Sequence, residues 1–298
     1  MIFDRSFRPT LILLSLLAVG TACGNVSLAA PPSYAAEVLS DNPFLYYRFG
    51  ESTGDVAADA GASAMDGTYV NSPLLGTTGG GLGSDDAVAF SRGSSQYLAT
   101  PDAAKPFSSF LGNSTYEFVF SGTNTDNRIM LYGSANDGLT TNSHVSINDG
   151  EPGRFRFYIR DDSGKIIGGY FDDATLLDGS HHHLLWTYDQ TGAELTDRLK
   201  AYADGMPQEL LFNGGSQAPS NFSSEFNYAP YFGAMNLRGS LYSPFDGVID
   251  EAALYTTVLT EQEVLNRAQA LGVGVPEPTS VLLLLLGACG YLVTRRRV

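Results

Sequence analysis

The chain has 298 residues, of which 17 are basic and 32 are acidic, and its formal net charge is −15 at pH 7. Nucleic acids and anionic lipid surfaces are disfavoured as partners, because both repel so acidic a protein. We therefore predict no nucleic-acid partner, and divalent cations and neutral or cationic polymers are better candidates.

Residues 1–30 have the pattern of a secretory signal peptide. Two arginines precede a short apolar stretch, Leu11–Val19, and small residues follow it. Such a stretch is too short to span a bilayer stably and is typical of a cleaved signal. Cleavage is expected near Ala29 or Ala30, with a site after Ala22 as an alternative. Cys23 also leaves lipoprotein processing open.

The middle of the chain predicts an all-β domain. Apolar side chains alternate with polar ones in Arg154–Arg160 (RFRFYIR), with the three arginines on one face, and the same period of two runs through Tyr116–Phe120 and Leu184–Tyr188. This alternation indicates strands with one buried face. Glycine-containing turns separate the strands, and Gly76–Asp86 reads as a flexible surface loop. Short strands with regular turns favour a two-sheet antiparallel jelly-roll sandwich.

One short C-terminal helix is predicted, and it should pack on the sandwich. Thr260–Glu263 is a capping-box sequence, an apolar stripe runs from Val264 to Leu271, and Gly272 supplies the stop signal.

Three consecutive histidines, His181–His183, suggest a metal site. Neighbouring residues of a strand point to opposite faces, so only His181 and His183 can share a side. The alternative, one core histidine with two edge residues, explains the triplet without zinc or copper.

Seven segments, in order, carry a family resemblance. They are Pro43–Glu51, Asp55–Tyr69, Ala87–Tyr97, His182–Tyr188, Lys200–Gly205, Phe245–Tyr255 and Leu259–Val264. Together they resemble the laminin-G-like, concanavalin A-like jelly-roll superfamily over about residues 36–272. The strongest piece is the Asp-Gly-Val-Ile-Asp-Glu sequence at 246–251, whereas His181 stands where the family usually has tryptophan.

The resemblance implies two antiparallel sheets, one concave and one convex, and a binding rather than a catalytic role. Members bind glycans, proteins or calcium. Calcium prefers oxygen ligands from carboxylates and carbonyls in loops. The resemblance therefore makes Asp246, Asp250 and Glu251, with Asp59 from an N-terminal glycine-containing loop, candidate ligands of a structural calcium ion. Alternatively, Asp250 fixes a turn by accepting backbone hydrogen bonds.

Aromatic residues in Gly/Pro/Ser-rich sequence are candidates for glycan binding. They are Tyr228, Tyr231, Phe232 and Tyr242. Exposed rings could stack on sugars, or they could pack over one end of the sandwich instead.

The end of the chain, residues 273–298, has a tripartite pattern. In order it consists of Pro276, Glu277 and Pro278, the apolar run Thr279–Thr294, and Arg295, Arg296 and Arg297. The run suits a transmembrane helix, and the arginines resist translocation. This tail resembles the PEP-CTERM sorting signal of Gram-negative bacteria that produce exopolysaccharide. The resemblance implies transient membrane anchoring through 279–294, cleavage by an exosortase-type protease, and delivery to the cell surface or extracellular matrix. An ordinary tail anchor is the alternative, although it gives the Pro-Glu-Pro motif no role.

Processing at both ends would change the composition of the domain at 31–272. The only cysteines, Cys23 and Cys289, would be lost, so disulfides would not stabilise the domain. Twelve basic and 30 acidic residues would remain, for a net charge of −18.

No catalytic pattern is evident. Glycosidases need two suitably spaced carboxylates, and the adjacent Asp250 and Glu251 are predicted to point to opposite faces. We therefore predict a non-catalytic, exported binding or adhesion module for glycan, exopolysaccharide or envelope partners. The alternatives are a structural matrix protein without a defined ligand, and a divergent glycan hydrolase or lyase.

Overall fold

The computed structural model describes residues 32–79, 86–105, 112–136, 142–220 and 227–273. Two antiparallel sheets pack face to face within them, so the predicted all-β sandwich is confirmed. The signal peptide and the sorting tail lie outside the described residues. Among the helices of the described ranges, none is long and apolar enough to cross a membrane.

Sheet 1 has eight strands, in the order β14-β13-β12-β7-β19-β5-β4, with β1 also paired to β19. Their bounds are β1 (Leu45–Tyr47), β4 (Leu74–Thr78), β5 (Asp86–Phe90), β7 (Asn113–Ser121), β12 (His182–Asp189), β13 (Leu199–Ala203), β14 (Met206–Gln208) and β19 (Gly247–Tyr255). Strand β4 includes Gly76, so the predicted surface loop at Gly76–Asp86 is in part a strand.

Sheet 2 has eleven strands among the described residues, in the order β15-β11-β10-β9-β8-β16-β6-β3-β2, and the hairpin β17–β18 joins β8. Their bounds are β2 (Val56–Ala57), β3 (Gly67–Val70), β6 (Tyr97–Ala99), β8 (Ile129–Ala135), β9 (Asn142–Ile147), β10 (Arg154–Arg160), β11 (Ile166–Asp172), β15 (Leu211–Phe212), β16 (Tyr231–Phe232), β17 (Met235–Leu237) and β18 (Ser240–Tyr242). Strand β17 pairs with β8 in parallel.

The main core lies between the sheets and is rich in aromatic rings. Trp186 from sheet 1 stacks on Phe157 from sheet 2 with ring centroids 5.7 Å apart. Phe155, Ile159 and Tyr188 are buried in the same cluster. The inward faces predicted from the alternation of these strands are therefore confirmed.

Three α-helices accompany the sheets in the described ranges: α1 (Tyr34–Ser40), α2 (Leu195–Arg198) and α3 (Glu261–Leu271). The predicted capping box of α3 is present, since the Thr260 hydroxyl accepts from the Glu263 N–H and the Glu263 carboxylate accepts from the Thr260 N–H. Gly272 ends α3 at φ 75°, a left-handed conformation that favours glycine. Helix α1 is not anticipated by the sequence pattern.

Residues of α1 and α3 form a second apolar cluster with side chains from the outer face of sheet 1. Val38 from α1, Val264 from α3, and Val119 and Leu185 from the sheet are buried together. The central strands of sheet 1 are therefore buried on both faces, and polar side chains on their outer face lose contact with water.

Glu117 on β7 is the centre of a buried ionic cluster between sheet 1 and the helices, and it is fully buried. One of its oxygens accepts from Tyr34 and contacts the His183 ring, each at 2.9 Å; the other accepts from Tyr255 at 2.6 Å and from Arg267 at 3.1 Å. A buried carboxylate is tolerated when its lone pairs are satisfied in this way. The cluster links α1, α3 and three strands of sheet 1.

Candidate functional site

The outer face of sheet 2 carries a cluster of charged and aromatic side chains. Strand β10 turns its apolar side chains to the core, so Arg154, Arg156, Tyr158 and Arg160 lie on the opposite face. We call the surface formed by these residues, with Arg128, His144, Asp149, Tyr170 and Asp172, the arginine face.

A buried carboxylate at the centre of the face holds two of the arginines. Asp149 accepts from Arg128 Nε at 2.8 Å, and its other oxygen accepts from Arg156 Nη1 at 3.0 Å and from the Ser146 hydroxyl at 3.1 Å. Burial alone raises the pKa of the Asp149 carboxyl, but Arg156 and Arg128 outweigh burial and keep that pKa below its usual value. One carboxylate is therefore shared by two guanidinium groups.

Tyr158 positions the arginines of β10. The guanidinium carbons of Arg156 and Arg160 lie 5.3 and 5.5 Å from its ring centroid, and Arg160 Nη2 donates to its hydroxyl at 2.6 Å. His144 stacks on the same ring with centroids 5.0 Å apart. Burial and the nearby Arg156 lower the pKa of His144 to about 3, so the imidazole is neutral near neutral pH.

The third arginine of β10 lies towards the edge of the face. Arg154 Nε and Nη2 donate to the two oxygens of Asp172 at 2.8 and 3.1 Å, a bidentate pair, and its guanidinium lies 4.2 Å from the Tyr170 ring centroid. The Arg154 hydrogen bond lowers the pKa of Asp172. Both side chains reach solvent, since 23% of Arg154 and 49% of Asp172 is exposed.

The face is large enough for an extended ligand. The outer face of sheet 2, in which the arginine face lies, crosses six strands from β15 to β16, which is about 24 Å at the usual strand spacing. From Arg154 to Arg160 it runs about 20 Å along β10. Leu211 and Tyr242, two of the exposed large apolar side chains, lie on or beside it.

Two of the predicted aromatic residues lie on or next to the arginine face. Tyr242 is 37% exposed, and its hydroxyl accepts from Arg128 Nη1 at 3.4 Å. Tyr231 pairs with Gly133, which in turn pairs with His144, and its ring packs on that of Tyr97 at 4.4 Å. These neighbours extend the face towards β16 and β18.

The other two aromatic residues have different surroundings. Phe232 is fully buried between the sheets and packs on Tyr47 at 5.3 Å, so the expectation that its ring is available to a ligand is wrong. It follows Tyr231 in the same strand and hence points to the opposite face. Tyr228 is half-buried, and its carbonyl accepts from the Ser134 hydroxyl at 2.7 Å.

Asp59, one candidate calcium ligand, organises its own loop. Its first oxygen accepts from the N–H groups of Tyr46 and Gly61, both at 2.8 Å; its second accepts from the Ser63 hydroxyl at 2.7 Å and the Met65 N–H at 2.8 Å. Four donors already bind the two oxygens of this carboxylate. The Asp59 side chain therefore holds the loop together as an anion surrounded by N–H and O–H groups.

The other three candidate ligands are also engaged by protein groups. Asp246 accepts from the Arg92 N–H and from the Asn124 amide, both at 3.0 Å, and Glu251 lies 3.9 Å from Arg48. Asp250 is fully buried. In the described part of the chain, no group of three or more acidic, histidine or cysteine side chains is placed to hold a metal. Calcium at these four residues therefore stays a prediction.

Asp250 is the extra residue of a β-bulge, and the bulge affects the predicted directions of the Asp250 and Glu251 side chains. The pairing of β19 with β7 shifts between Ile249 and Glu251, and Ile249 and Ala252 both enter the main core although they are three residues apart. The period of two does not hold across a bulge. The expectation that Asp250 and Glu251 point to opposite faces therefore has no basis here.

The histidine triplet divides between core and edge. His183 is fully buried against Glu117, whereas His182 contacts Asp204 at 2.8 Å and Asp178 at 3.2 Å. The hydrogen bond with Asp204 is the main cause of a raised pKa of His182, and Asp178 adds to it. His181 is half-buried. The triplet therefore serves packing and hydrogen bonding.

The family is decided by a match over more than half of the chain. A family model described as the concanavalin A-like lectin/glucanases superfamily matches residues 92–265. The chain belongs to this superfamily. The match covers β6 to β19, which include the whole of strand β10 and both its neighbours. No curated protein matches this concanavalin A-like chain in sequence.

Solved structures share the fold at low sequence identity. The receptor-binding domain of botulinum neurotoxin mosaic serotype C/D has a TM-score of 0.53 and 11% identity, over 78% of this chain and 51% of that chain. The binding domain of botulinum neurotoxin DC, in complex with rat synaptotagmin II, has a TM-score of 0.51 and 9% identity, over 78% and 52%. This concanavalin A-like chain thus spans about half the length of these neurotoxin domains.

Part of the arginine face has a signal in the sequence. Strand β10 places three arginines at alternate or near-alternate positions in a domain with 12 basic residues. The alternation was evident, but the contribution of Arg128, His144 and Asp149 depends on strand pairing across the sheet. Only the fold brings those residues together.

Proposed function

We propose that this protein is an exported, non-catalytic binding module that holds a glycan or another envelope partner on the arginine face. The observation that carries the proposal is the prepositioned arginine cluster, in which Asp149 and Tyr158 fix three guanidinium groups before any ligand arrives. Preorganised donors lose little conformational entropy when they bind. Arginine forks and tyrosine rings suit sugar hydroxyl, carboxylate and ring surfaces.

The carboxylates of the face support a non-catalytic role. A glycosidase acid must keep its proton near neutral pH, which requires a raised pKa. Arginine partners lower the pKa of both Asp149 and Asp172 instead. These two groups are therefore suited to organising arginines and poorly suited to donating a proton.

A superfamily described as concanavalin A-like lectin/glucanases includes lectins, so membership is compatible with a binding role. The likeness to two neurotoxin binding domains at 9–11% identity concerns the fold, and the ligands of those toxins do not transfer to this chain. The residues of the arginine face indicate the ligand more directly than the fold does.

For sorting, we propose export through the signal peptide at 1–30 and removal of the tail at 273–298 by an exosortase-type protease. The protein would then reside on the outer surface, or in the exopolysaccharide matrix, of a Gram-negative bacterium. Replacing Pro276, Glu277 and Pro278 by alanine should block tail removal in an exosortase-positive strain. Immunoblotting of cell fractions would then show the longer, membrane-associated form. Normal processing of this variant would contradict the sorting proposal.

The binding function is tested with a glycan array probed by the full-length protein in detergent, once with calcium and once with EDTA. Binding to a defined set of glycans in both conditions supports a metal-independent module. Binding lost in EDTA would return the calcium hypothesis to Asp250 and its neighbours. Failure to bind any glycan in either condition would favour the structural matrix role.

A further inference from the structure

We propose that the ligand of the arginine face is an acidic polysaccharide, whose anionic groups are bound by Arg154, Arg156 and Arg160. The inference rests on the proposed glycan-binding function and adds the chemical class of the glycan. It also changes the expectation from composition, which favoured neutral or cationic polymers.

The charge distribution is the first argument. Residues 31–272 contain only 12 basic residues against 30 acidic ones, yet four of the 12 lie on the arginine face. In so acidic a protein, basic side chains are outnumbered by acidic ones. Concentrating a third of its basic residues on one side of one sheet creates a local site of the opposite sign.

The buried carboxylate of the face has two arginine partners. Asp149 is shared between Arg128 and Arg156, so this carboxylate balances only one of two positive charges. Asp149 is itself only 2% exposed, whereas 39% of Arg128 and 18% of Arg156 reach solvent. An approaching ligand therefore meets the guanidinium groups and not the carboxylate.

A ligand can also replace Asp172, the exposed carboxylate that holds Arg154. Asp172 binds Arg154 in the bidentate geometry that any carboxylate or sulfate group can adopt. It is about half exposed, and exposed ion pairs are weak because water competes for both partners. An anionic sugar group can exchange with Asp172 without unfolding any element.

A neutral glycan fits the face less well. Neutral sugars bind mainly by stacking on open aromatic rings, but the central ring of this face, Tyr158, is 8% exposed and is covered by His144. The more exposed rings, Tyr170 and Tyr242, lie towards its margins and can support the polymer chain. The centre of the face presents cations.

The decisive experiment compares three polysaccharides on the full-length protein in detergent. The probes are polygalacturonate, dextran sulfate and uncharged dextran, measured by biolayer interferometry at about 0.1 M salt, where the Debye length is about 10 Å. The test variant is R154Q/R160Q, which removes two partly exposed charges. The matched control is K200Q, which removes a 48% exposed charge from sheet 1. Melting curves confirm that each variant is folded.

We expect at least one acidic polymer to bind about tenfold or more tightly than dextran, and R154Q/R160Q to weaken that binding by about tenfold or more. K200Q should bind like the unaltered protein. The charge-preserving variant R154K/R160K should retain part of the affinity, since lysine keeps the charge and loses the fork. Comparing polygalacturonate with dextran sulfate shows whether a carboxylate or a sulfate group is recognised.

Two outcomes separate this inference from the function on which it rests. Equal binding of dextran and both acidic polymers, unaffected by R154Q/R160Q, overturns the acidic-ligand inference and leaves glycan binding intact. Failure of all polysaccharides here and on the glycan array overturns the proposed function itself. Equally tight binding of single-stranded DNA, added as a fourth probe, would show a general polyanion site and would also contradict a polysaccharide ligand.

Discussion

Glu117 links the helical layer to sheet 1 through four side-chain contacts and has no contact with water. Burial alone raises its pKa, but Arg267 and His183 outweigh burial and lower the pKa to about 2. Arg267 makes a further ion pair with Asp41 at 2.6 Å. Removing any one member of the cluster would leave the remaining charged or polar groups buried without a partner, which is destabilising.

The variant E117Q should destabilise the protein by about 3–5 kcal/mol, because it leaves Arg267 buried without its main counter-charge. The amide also offers a donor where the Tyr34 and Tyr255 hydroxyl groups already donate. Urea unfolding followed by tryptophan fluorescence would measure the loss. The control E209Q alters an exposed carboxyl group and should shift stability by less than about 0.5 kcal/mol. Similar stability of the two variants would contradict a structural role for the cluster.

The same carboxyl group predicts how stability depends on pH. The folded-state pKa of Glu117 is below the unfolded value, so its contribution is fully present above about pH 4.5 and is lost as pH falls towards about 2. Asp149, whose pKa is also lowered, acts in the same direction. Melting temperatures measured from pH 7 to pH 2 should fall steeply in the unaltered protein. The fall should be shallower in E117Q. Parallel curves of melting temperature against pH for the two proteins would contradict this role of Glu117.

Among the elements, helix α3 places the buried Arg267 beside Glu117, and its N-terminal cap fixes where the helix begins. T260A removes the hydroxyl that accepts from Glu263 and should cost about 1 kcal/mol. Q269A, at an exposed position of the same helix, should change stability by less than about 0.5 kcal/mol. Chemical unfolding of the two variants would compare them directly, and equal stabilities would mean that packing alone fixes where the helix starts.

The elements that the sequence predicts are those whose signals are local. The alternation in Arg154–Arg160 and the capping box at Thr260 lie within a few residues, and both are confirmed. Helix α1 is only seven residues long and is stabilised by contacts with α3 and sheet 1, which no local pattern contains. The bulge at Asp250 likewise depends on pairing with β7.

The candidate site shows the same division. The arginines of β10 can be assigned to one face from sequence, whereas Asp149 joins Arg128 and Arg156 from three different segments. The choice between packing and ligand binding at Phe232 could not be made from sequence, because a two-residue strand is too short to reveal its inward side. Residue types indicated aromatic rings as the binding groups, whereas strand pairing brings charged side chains together on one face.

At the scale of the whole molecule, a domain of net charge −18 would have to bind a polyanion. The repulsion from the acidic surface acts over long distances, whereas the contacts of the arginine face act at hydrogen-bond distance. Salt separates the two effects, because the Debye length falls from about 30 Å at 0.01 M to about 10 Å at 0.1 M and about 3 Å at 1 M.

Binding of the preferred acidic polysaccharide should therefore pass through a maximum as salt increases. Near 0.01 M the acidic surface repels the polymer, near 0.1 M that repulsion is screened while the arginine contacts remain, and near 1 M the contacts themselves weaken. Titration of the affinity against sodium chloride measures the curve. R154Q/R160Q should lower the maximum, whereas K200Q should leave it in place. A steady fall in affinity from the lowest salt would instead mean that attraction dominates at every distance, against the charge distribution described above.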